Sequence, residues 1–322
     1  MSTDPFQLLY ENSCGPINIV EMMYTSNLVV LVGKEEHGDF SPKKVTIWST
    51  SHNVVLCSSF AFSAEINIAK INKLRMIVGE RNFLHIYSTG DMKILHTIDV
   101  GPVTLGRLVL SPNSDKNNWV CFSSKNDEGV VNVYDTLYPS FKCHIKAHKS
   151  PILKMCLNSL GDRLATCSCK GTIIRVFSLP KGEKILTYKR GISAAFIFSL
   201  NFSANNEKLI STSSGSLHIF DLKNNEEDYN SQAKGFNKFL YRSFVTIAGK
   251  LMPKDYEDTF GTQGASLMYS HESMRISNIS SFNPKNANEA FTFTSDGSYY
   301  LFSINYENKA INQLKKTSNT IN

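Results

Sequence analysis

Two adjacent cations, Lys189 and Arg190 in the run Tyr188-Lys189-Arg190-Gly191, are the residues of this chain best suited to chemistry. Neighbouring side chains on an extended segment point in opposite directions. A Lys-Arg pair at the junction of two β-repeats can therefore supply one cation to each of two separate anion pockets. Downstream, Ser214, Ser216 and His218 alternate, so a strand there would present all three on one face, with Ser211 and Thr212 close by. Upstream stand His148, Ser168, Thr172 and Arg175. Arginine offers a bidentate fork to an oxyanion, and hydroxyl and imidazole groups add directed hydrogen bonds. Each residue alone has a structural alternative. Arg175 in an Ile-Ile-Arg-Val-Phe strand could be a blade-edge Arg, His148 could be a structural His before a strand, and Ser and Thr are common turn residues.

The elements that must position these groups show themselves as a repeat. Two or three alternating apolar residues end in an aromatic and are followed by a polar turn, and the aromatics are Trp48, Tyr87, Tyr134, Phe177, Phe220 and Phe302. Their spacings are 39, 47, 43, 43 and 82 residues. A period of roughly 40–45 residues is that of a four-stranded propeller blade. The expectation is an all-β, WD-repeat-like β-propeller forming a single domain over residues 1–322. The wide last gap is read as a long insertion at about residues 223–264 in the sixth blade. Ala265 to Tyr269 would then close that blade, and Ile276–Phe282, Ala290–Thr294 and Ser298–Ser303 would supply strands of the last.

Composition bounds the function. The 322 residues are 42% hydrophobic and 19% charged, which permits a large core and argues against global disorder. No apolar run reaches the ~20 residues that span a bilayer, and Met1 to Phe6 lacks the pattern of a secretory signal. With seven cysteines and no Cys-x-x-Cys, the expectation is a cytoplasmic protein with reduced thiols. Cys167-Ser168-Cys169 lacks a second cluster, so neither a metal nor another cofactor is expected. A net charge of +6 is too mild to demand nucleic acid, but it suits an acidic membrane surface where clustered. There is no Gly-x-Ser-x-Gly, no phosphate-binding glycine loop and no persuasive carboxylate pair, so an enzyme is not expected.

The insertion has its own pattern. Phe236, Leu240, Phe244, Ile247 and Leu251 step by four, four, three and four, giving one apolar helical stripe, with Phe239 beside it. No acidic residue occurs between Asp228 and Asp255, while Lys234, Lys238, Arg242, Lys250 and Lys254 are basic. A basic amphipathic segment of this kind reads as interfacial. The competing reading packs the stripe on the propeller.

From Ala147 to Leu222 the order of His, Ser, Thr, Arg, basic pair, Ser and His resembles the PROPPIN family of β-propellers, whose hallmark Phe-Arg-Arg-Gly reads Tyr-Lys-Arg-Gly here. The resemblance implies a seven-bladed propeller whose first blade is incomplete at the N-terminus, since Asp4-Pro5-Phe6 is similar to the residues that follow the third strand of the family's first blade. It implies two lipid headgroup sites. The first would use His148, Ser168, Thr172, Arg175 and Lys189; the second would use Arg190, Ser211, Thr212, Ser214, Ser216 and His218. It also implies that the insertion dips into the bilayer through Phe236, Phe239, Leu240, Phe244, Ile247 and Leu251. Pro42 and Lys43, in a Pro-basic turn, would help to recruit the autophagic lipid-transfer protein or conjugation machinery. The implied function is recognition of phosphatidylinositol 3-phosphate and the 3,5-bisphosphate on isolation, endosomal or vacuolar membranes by a non-enzymatic, monomeric effector. The alternative is a WD-repeat protein-interaction scaffold that binds no lipid.

Overall fold

A computed structural model describes residues 2–3, 6–7, 10–23, 26–102, 107–112, 117–125, 129–222, 263–264, 267–270 and 272–318. The chain divides into two compact units, Met1–Lys146 and Ala147–Asn322. In the first, β1 (Ser2–Thr3) and β2 (Phe6–Gln7) form a two-stranded ribbon. Three four-stranded antiparallel meanders follow. They comprise β3 (Ile17–Met22), β4 (Leu28–Gly33), β5 (Lys44–Ser49) and β6 (Val54–Ala61); β7 (Ile66–Ile71), β8 (Arg75–Glu80), β9 (Phe83–Ser88) and β10 (Ile94–Asp99); and β11 (Leu108–Leu110), β12 (Trp119–Ser123), β13 (Val130–Asp135) and β14 (Ser140–Lys146).

The second unit repeats the plan. Its first meander is β15 (Ile152–Leu157), β16 (Arg163–Ser168), β17 (Ile173–Ser178) and β18 (Lys184–Lys189), to which β22 (Gln263–Gly264) adds in parallel at the β18 edge. The next is β19 (Ile197–Phe202), β20 (Lys208–Ser213), β21 (Ser216–Asp221) and β23 (Leu267–Ser270). The last is β24 (Asn278–Phe282), β25 (Glu289–Thr294), β26 (Ser298–Asn305) and β27 (Ala310–Ser318). Residues 223–262, which hold the predicted interfacial stripe, fall between the third and fourth strands of one sheet and lie outside the described residues.

Each aromatic marker of the repeat falls on the third strand of its sheet: Trp48 on β5, Tyr87 on β9, Tyr134 on β13, Phe177 on β17, Phe220 on β21 and Phe302 on β26. Second strands such as β4, Leu-Val-Val-Leu-Val-Gly, are buried on both faces and so read as continuous apolar runs. Fourth strands such as β10 are largely exposed and lose that pattern.

The core that positions the candidate site lies between two sheets of the second unit. Ala165, Cys167, Ile174, Val176, Leu186 and Tyr188 turn one face of β16–β18 towards Ile197, Leu200, Leu209 and Phe220. The Tyr188 and Phe220 rings are 4.9 Å apart, and the Tyr188 hydroxyl donates to the Asp221 carbonyl at 2.8 Å. Truncating a buried ring of this kind costs about 3–5 kcal/mol, so the Tyr188 contacts anchor the edge that carries Lys189 and Arg190.

Candidate anion-binding site

The register of β17 and β18 separates the two cations. Lys189 pairs with Ile173 and Thr187 with Arg175, so Lys189 shares a face with Arg175, away from the core that takes Tyr188. Thr166 pairs with Arg175, and Ser168 lies two residues beyond it on β16, so both hydroxyls belong to this same face. Arg175 is buried, and its Nη1 donates to the Ala147 carbonyl at 2.7 Å and to His148 Nδ1 at 3.0 Å. Nδ1 is then an acceptor, which leaves the imidazole proton on Nε2, 3.0 Å from Thr166 Oγ1. Arg175 therefore orients His148. Thr172 contributes its carbonyl, which receives the Arg190 amide at 2.8 Å. Thr166 was not anticipated from the sequence; its signal is the alternation with Ser168.

Arg190 follows β18 and serves the other face. Its Nε donates to the Gly171 carbonyl and its Nη2 to the Ser193 carbonyl. A guanidinium has five N–H donors, so both Nη1 hydrogens and one on Nη2 remain without a partner among the described residues. Arg190 is partly desolvated, which lowers its pKa. Gly171 makes this approach possible. It has φ of +63°, and a Cβ there would stand 1.9 Å from the Ala195 carbonyl oxygen.

Opposite Arg190, β20 and β21 present a polar ladder. Ser211 pairs with His218 and Ser213 with Ser216, all on the face that carries Leu209 and Phe220 towards the neighbouring sheet. Ser216 Oγ lies 2.8 Å from His218 Nε2, and Ser213 Oγ lies 2.9 Å from Ser216 Oγ. Two buried atoms in this ladder have no hydrogen-bond partner among the described residues: Ser211 Oγ and His218 Nδ1. Burial above all, and then the charge of Arg190, hold the His218 imidazole down at about 4, so it is neutral.

The structure departs from the expected second set at two positions. β21 begins at Ser216, and Ser214 lies with Gly215 in the hairpin turn, so only Ser216 and His218 share a strand face. Ser213 takes the place beside Ser216. Thr212 points the other way, towards Leu217 in register, and its hydroxyl lies 2.6 Å from Ser199 Oγ. Arg275 was missed by sequence reasoning. It is exposed at the end of a short 3-10 turn, Glu272–Arg275, next to Met274, whose carbonyl accepts the Gly215 amide at 3.0 Å.

The remaining expectations sort themselves by place. Phe236, Phe239, Leu240, Phe244, Ile247 and Leu251 lie outside the described residues. In the first unit, the Pro42 carbonyl accepts the Ile66 amide at 2.8 Å, and exposed Lys43 lines an open polar cavity of about 410 Å³ with Ser63, Glu65, Asn67 and Arg81. Cys167 is in the core, where burial pushes its thiol up to about 12, while Cys169 is exposed. No His, Cys, Asp and Glu grouping fit for a metal occurs among the described residues.

Comparison with known proteins adds the family. The chain is 35% identical over 243 residues to Autophagy-related protein 18 of Mycosarcoma maydis, covering 68% of this chain and 53% of that protein. It is 33% identical over 241 residues to the protein of the same name from Yarrowia lipolytica, covering 68% and 60% respectively. The chain thus aligns with little more than half the length of these relatives. Among solved structures, Kluyveromyces lactis Hsv2 superposes with a TM-score of 0.76 at 16% identity, over 98% of this chain and 90% of that one. A chain of the complex of KlAtg21 with the coiled-coil of AgAtg16 gives 0.73 at 24% identity, over 98% and 91%. These likenesses establish the β-propeller fold. The family model for PROPPIN matches residues 6–318, and the chain belongs to the PROPPIN family.

Proposed function

We propose that this chain is a non-enzymatic phosphoinositide effector that holds phosphatidylinositol 3-phosphate and the 3,5-bisphosphate at cytoplasmic faces of isolation, endosomal or vacuolar membranes and recruits autophagy machinery there. The observation that carries this reading is the pair of buried atoms Ser211 Oγ and His218 Nδ1, which have no hydrogen-bond partner among the described residues, with the Arg190 charge acting on His218. An unsatisfied buried polar atom costs about 1–3 kcal/mol. A phosphate would offset that cost by accepting from the hydroxyl, from a protonated Nδ1 and from the remaining Arg190 donors. Arg275 beside the Ser214-Gly215 turn adds an exposed cation to the same rim.

Lys189, Ser168 and the Arg175–His148–Thr166 network form the candidate second pocket, with a point charge where the family has a fork. Two weak headgroup contacts gain by acting together. The segment 234–254 would add a membrane foot, and its attachment between β21 and β23 supports this, because His218 lies on β21 and pairs with Met268 of β23. Pro42 and Lys43 are the candidate contact for an autophagy partner. The test is flotation on vesicles that differ only in phosphoinositide. Binding that requires the 3-phosphorylated lipid is the expected result; binding to acidic peptides with no lipid dependence would replace this reading by that of a scaffold.

A further inference from the structure

Among the large apolar side chains of the described residues that reach the surface, Ile192 is the most exposed, at 87%. It stands at the tip of the loop that follows Arg190, and that loop is pinned along its length. The Arg190 and Gly191 amides donate to the Thr172 carbonyl at 2.8 and 3.4 Å. The Arg190 side chain ties the carbonyl of Gly171, in the β16–β17 hairpin, to that of Ser193, just past the tip. The Ala195 amide then donates to Lys170 of the β16–β17 hairpin, at 3.2 Å, and the Phe196 carbonyl accepts from Ser214 of the β20–β21 hairpin, at 3.1 Å. The loop is thus strung between the two hairpins that carry the candidate pockets. An isoleucine on such a fixed backbone is presented to solvent at a standing cost in exposed apolar area.

The charge around the tip decides what it meets. No Asp or Glu occurs from Arg163 to Gly182 or from Lys184 to Asn206, while Lys170, Lys189 and Arg190 flank the tip. A single protruding apolar residue flanked by cations matches a soft, anionic bilayer surface, which accepts both features. We propose that Ile192 inserts into the bilayer between the two headgroup pockets and forms a membrane contact separate from the segment 234–254. This rests on the phosphoinositide reading above. Phe196, half exposed and 5.4 Å from Phe198, lies at the base of the same loop and extends the apolar surface.

The experiment compares the full chain with Ile192→Ser and Ile192→Trp on phosphatidylcholine vesicles with and without phosphatidylinositol 3-phosphate, and with a soluble inositol bisphosphate. Ile192→Ser is expected to weaken flotation on the phosphoinositide vesicles by about tenfold, the factor that losing most of one inserted aliphatic side chain implies. Its affinity for the soluble headgroup should stay as in the parent. The Ile192→Trp indole emission should shift to the blue only when the phosphoinositide is present. Unchanged flotation of Ile192→Ser, or a Trp emission that stays red while the protein floats, overturns the insertion and leaves the headgroup reading standing. Loss of soluble headgroup affinity in Ile192→Ser also overturns it, because the tip would then frame a pocket. If the parent chain itself does not float, the headgroup reading falls and takes this proposal with it.

Discussion

Arg190 stands near enough to His218 for its guanidinium to add to burial in keeping the imidazole neutral. In the proposed reading, this pair is where an anion sits. An oxyanion placed between them would neutralise Arg190, accept from His218 and relieve the Ser211 hydroxyl in one step.

A pH dependence follows with a definite sign. The folded pKa of His218, about 4, lies below the ordinary value of about 6.5, so in the window between them the unfolded chain binds the proton first. His218 therefore contributes its full share of stability above about pH 6.5, and that share is lost as pH falls towards 4, on the order of 2–3 kcal/mol in all. A bound phosphate reverses the preference for the neutral imidazole. Headgroup affinity should thus rise as pH falls relative to His218→Gln, which removes the proton site, by at most about tenfold per pH unit and only between the imidazole pKa of the bound state and about 4. Titration calorimetry on both proteins between pH 7.5 and 5 checks this. Parallel pH profiles for parent and variant would show that His218 takes no part.

Replacing Lys189 and Arg190 together by Thr should abolish phosphoinositide-dependent flotation. Each pocket loses a charge-assisted contact of roughly 1.5–3 kcal/mol. Arg190→Thr alone should hurt more than Lys189→Thr, because Arg190 also holds the carbonyls of Gly171 and Ser193. Arg275→Ser should weaken binding severalfold without touching the melting temperature, since its side chain is exposed. Equal effects of the two single Thr variants would move the weight to the Lys189 pocket.

Two glycines of the site should respond in opposite ways. Gly171→Ala meets a carbonyl oxygen at 1.9 Å in a left-handed backbone, so a loss of at least about 2 kcal/mol is expected in chemical denaturation. Gly191, the hallmark glycine, has open space around its missing Cβ, and Gly191→Ala should stay within about 0.5 kcal/mol of the parent. A loss of headgroup binding in Gly191→Ala at unchanged stability would mean that its hydrogen faces the ligand.

What could be read from the sequence was what repeats locally. Trp48, Tyr87, Tyr134, Phe177, Phe220 and Phe302 mark third strands because a buried third strand ending in an aromatic recurs with each sheet. Lys189 and Arg190 separate because adjacent residues on an extended chain must. Ser213 escaped notice because it meets Ser216 only across the β20–β21 hairpin, and Thr166, though it alternates with Ser168, meets Arg175 only through cross-strand register. Ser214 was placed one residue off the ladder, and with a side-chain period of two that puts it off the shared face. The Ser214-Gly215 dipeptide is itself a turn signal, and Gly215 adopts φ of +99° there. Arg275 lies 57 residues after His218 and across an insertion, so only the folded chain brings it to the rim.

The proposed membrane foot has its own test. Changing Leu240 and Phe244 to Asp should weaken flotation while leaving soluble headgroup affinity and melting unchanged, because apolar side chains entering acyl chains contribute roughly 25 cal/mol per Å² and a carboxylate resists that transfer. If the stripe packs on the propeller, the same variant should melt earlier and lose both kinds of binding.

Arg175 presents the sharpest choice between a ligand cation and a structural one. Its buried guanidinium supplies the Ala147 carbonyl and His148 Nδ1, and His148 in turn reaches Thr166. Arg175→Met keeps much of the apolar stem but leaves a buried carbonyl and a half-buried imidazole nitrogen without that donor, which should cost about 2–3 kcal/mol and lower the melting temperature by several degrees. Lys189→Thr, at the half-buried end of β18, should change melting by little and headgroup affinity by much. Comparing the two variants by calorimetry and by headgroup titration separates positioning from contact. A Met variant that melts like the parent yet loses the headgroup would make Arg175 a direct phosphate ligand, and His148 would then need no help from it to keep its place.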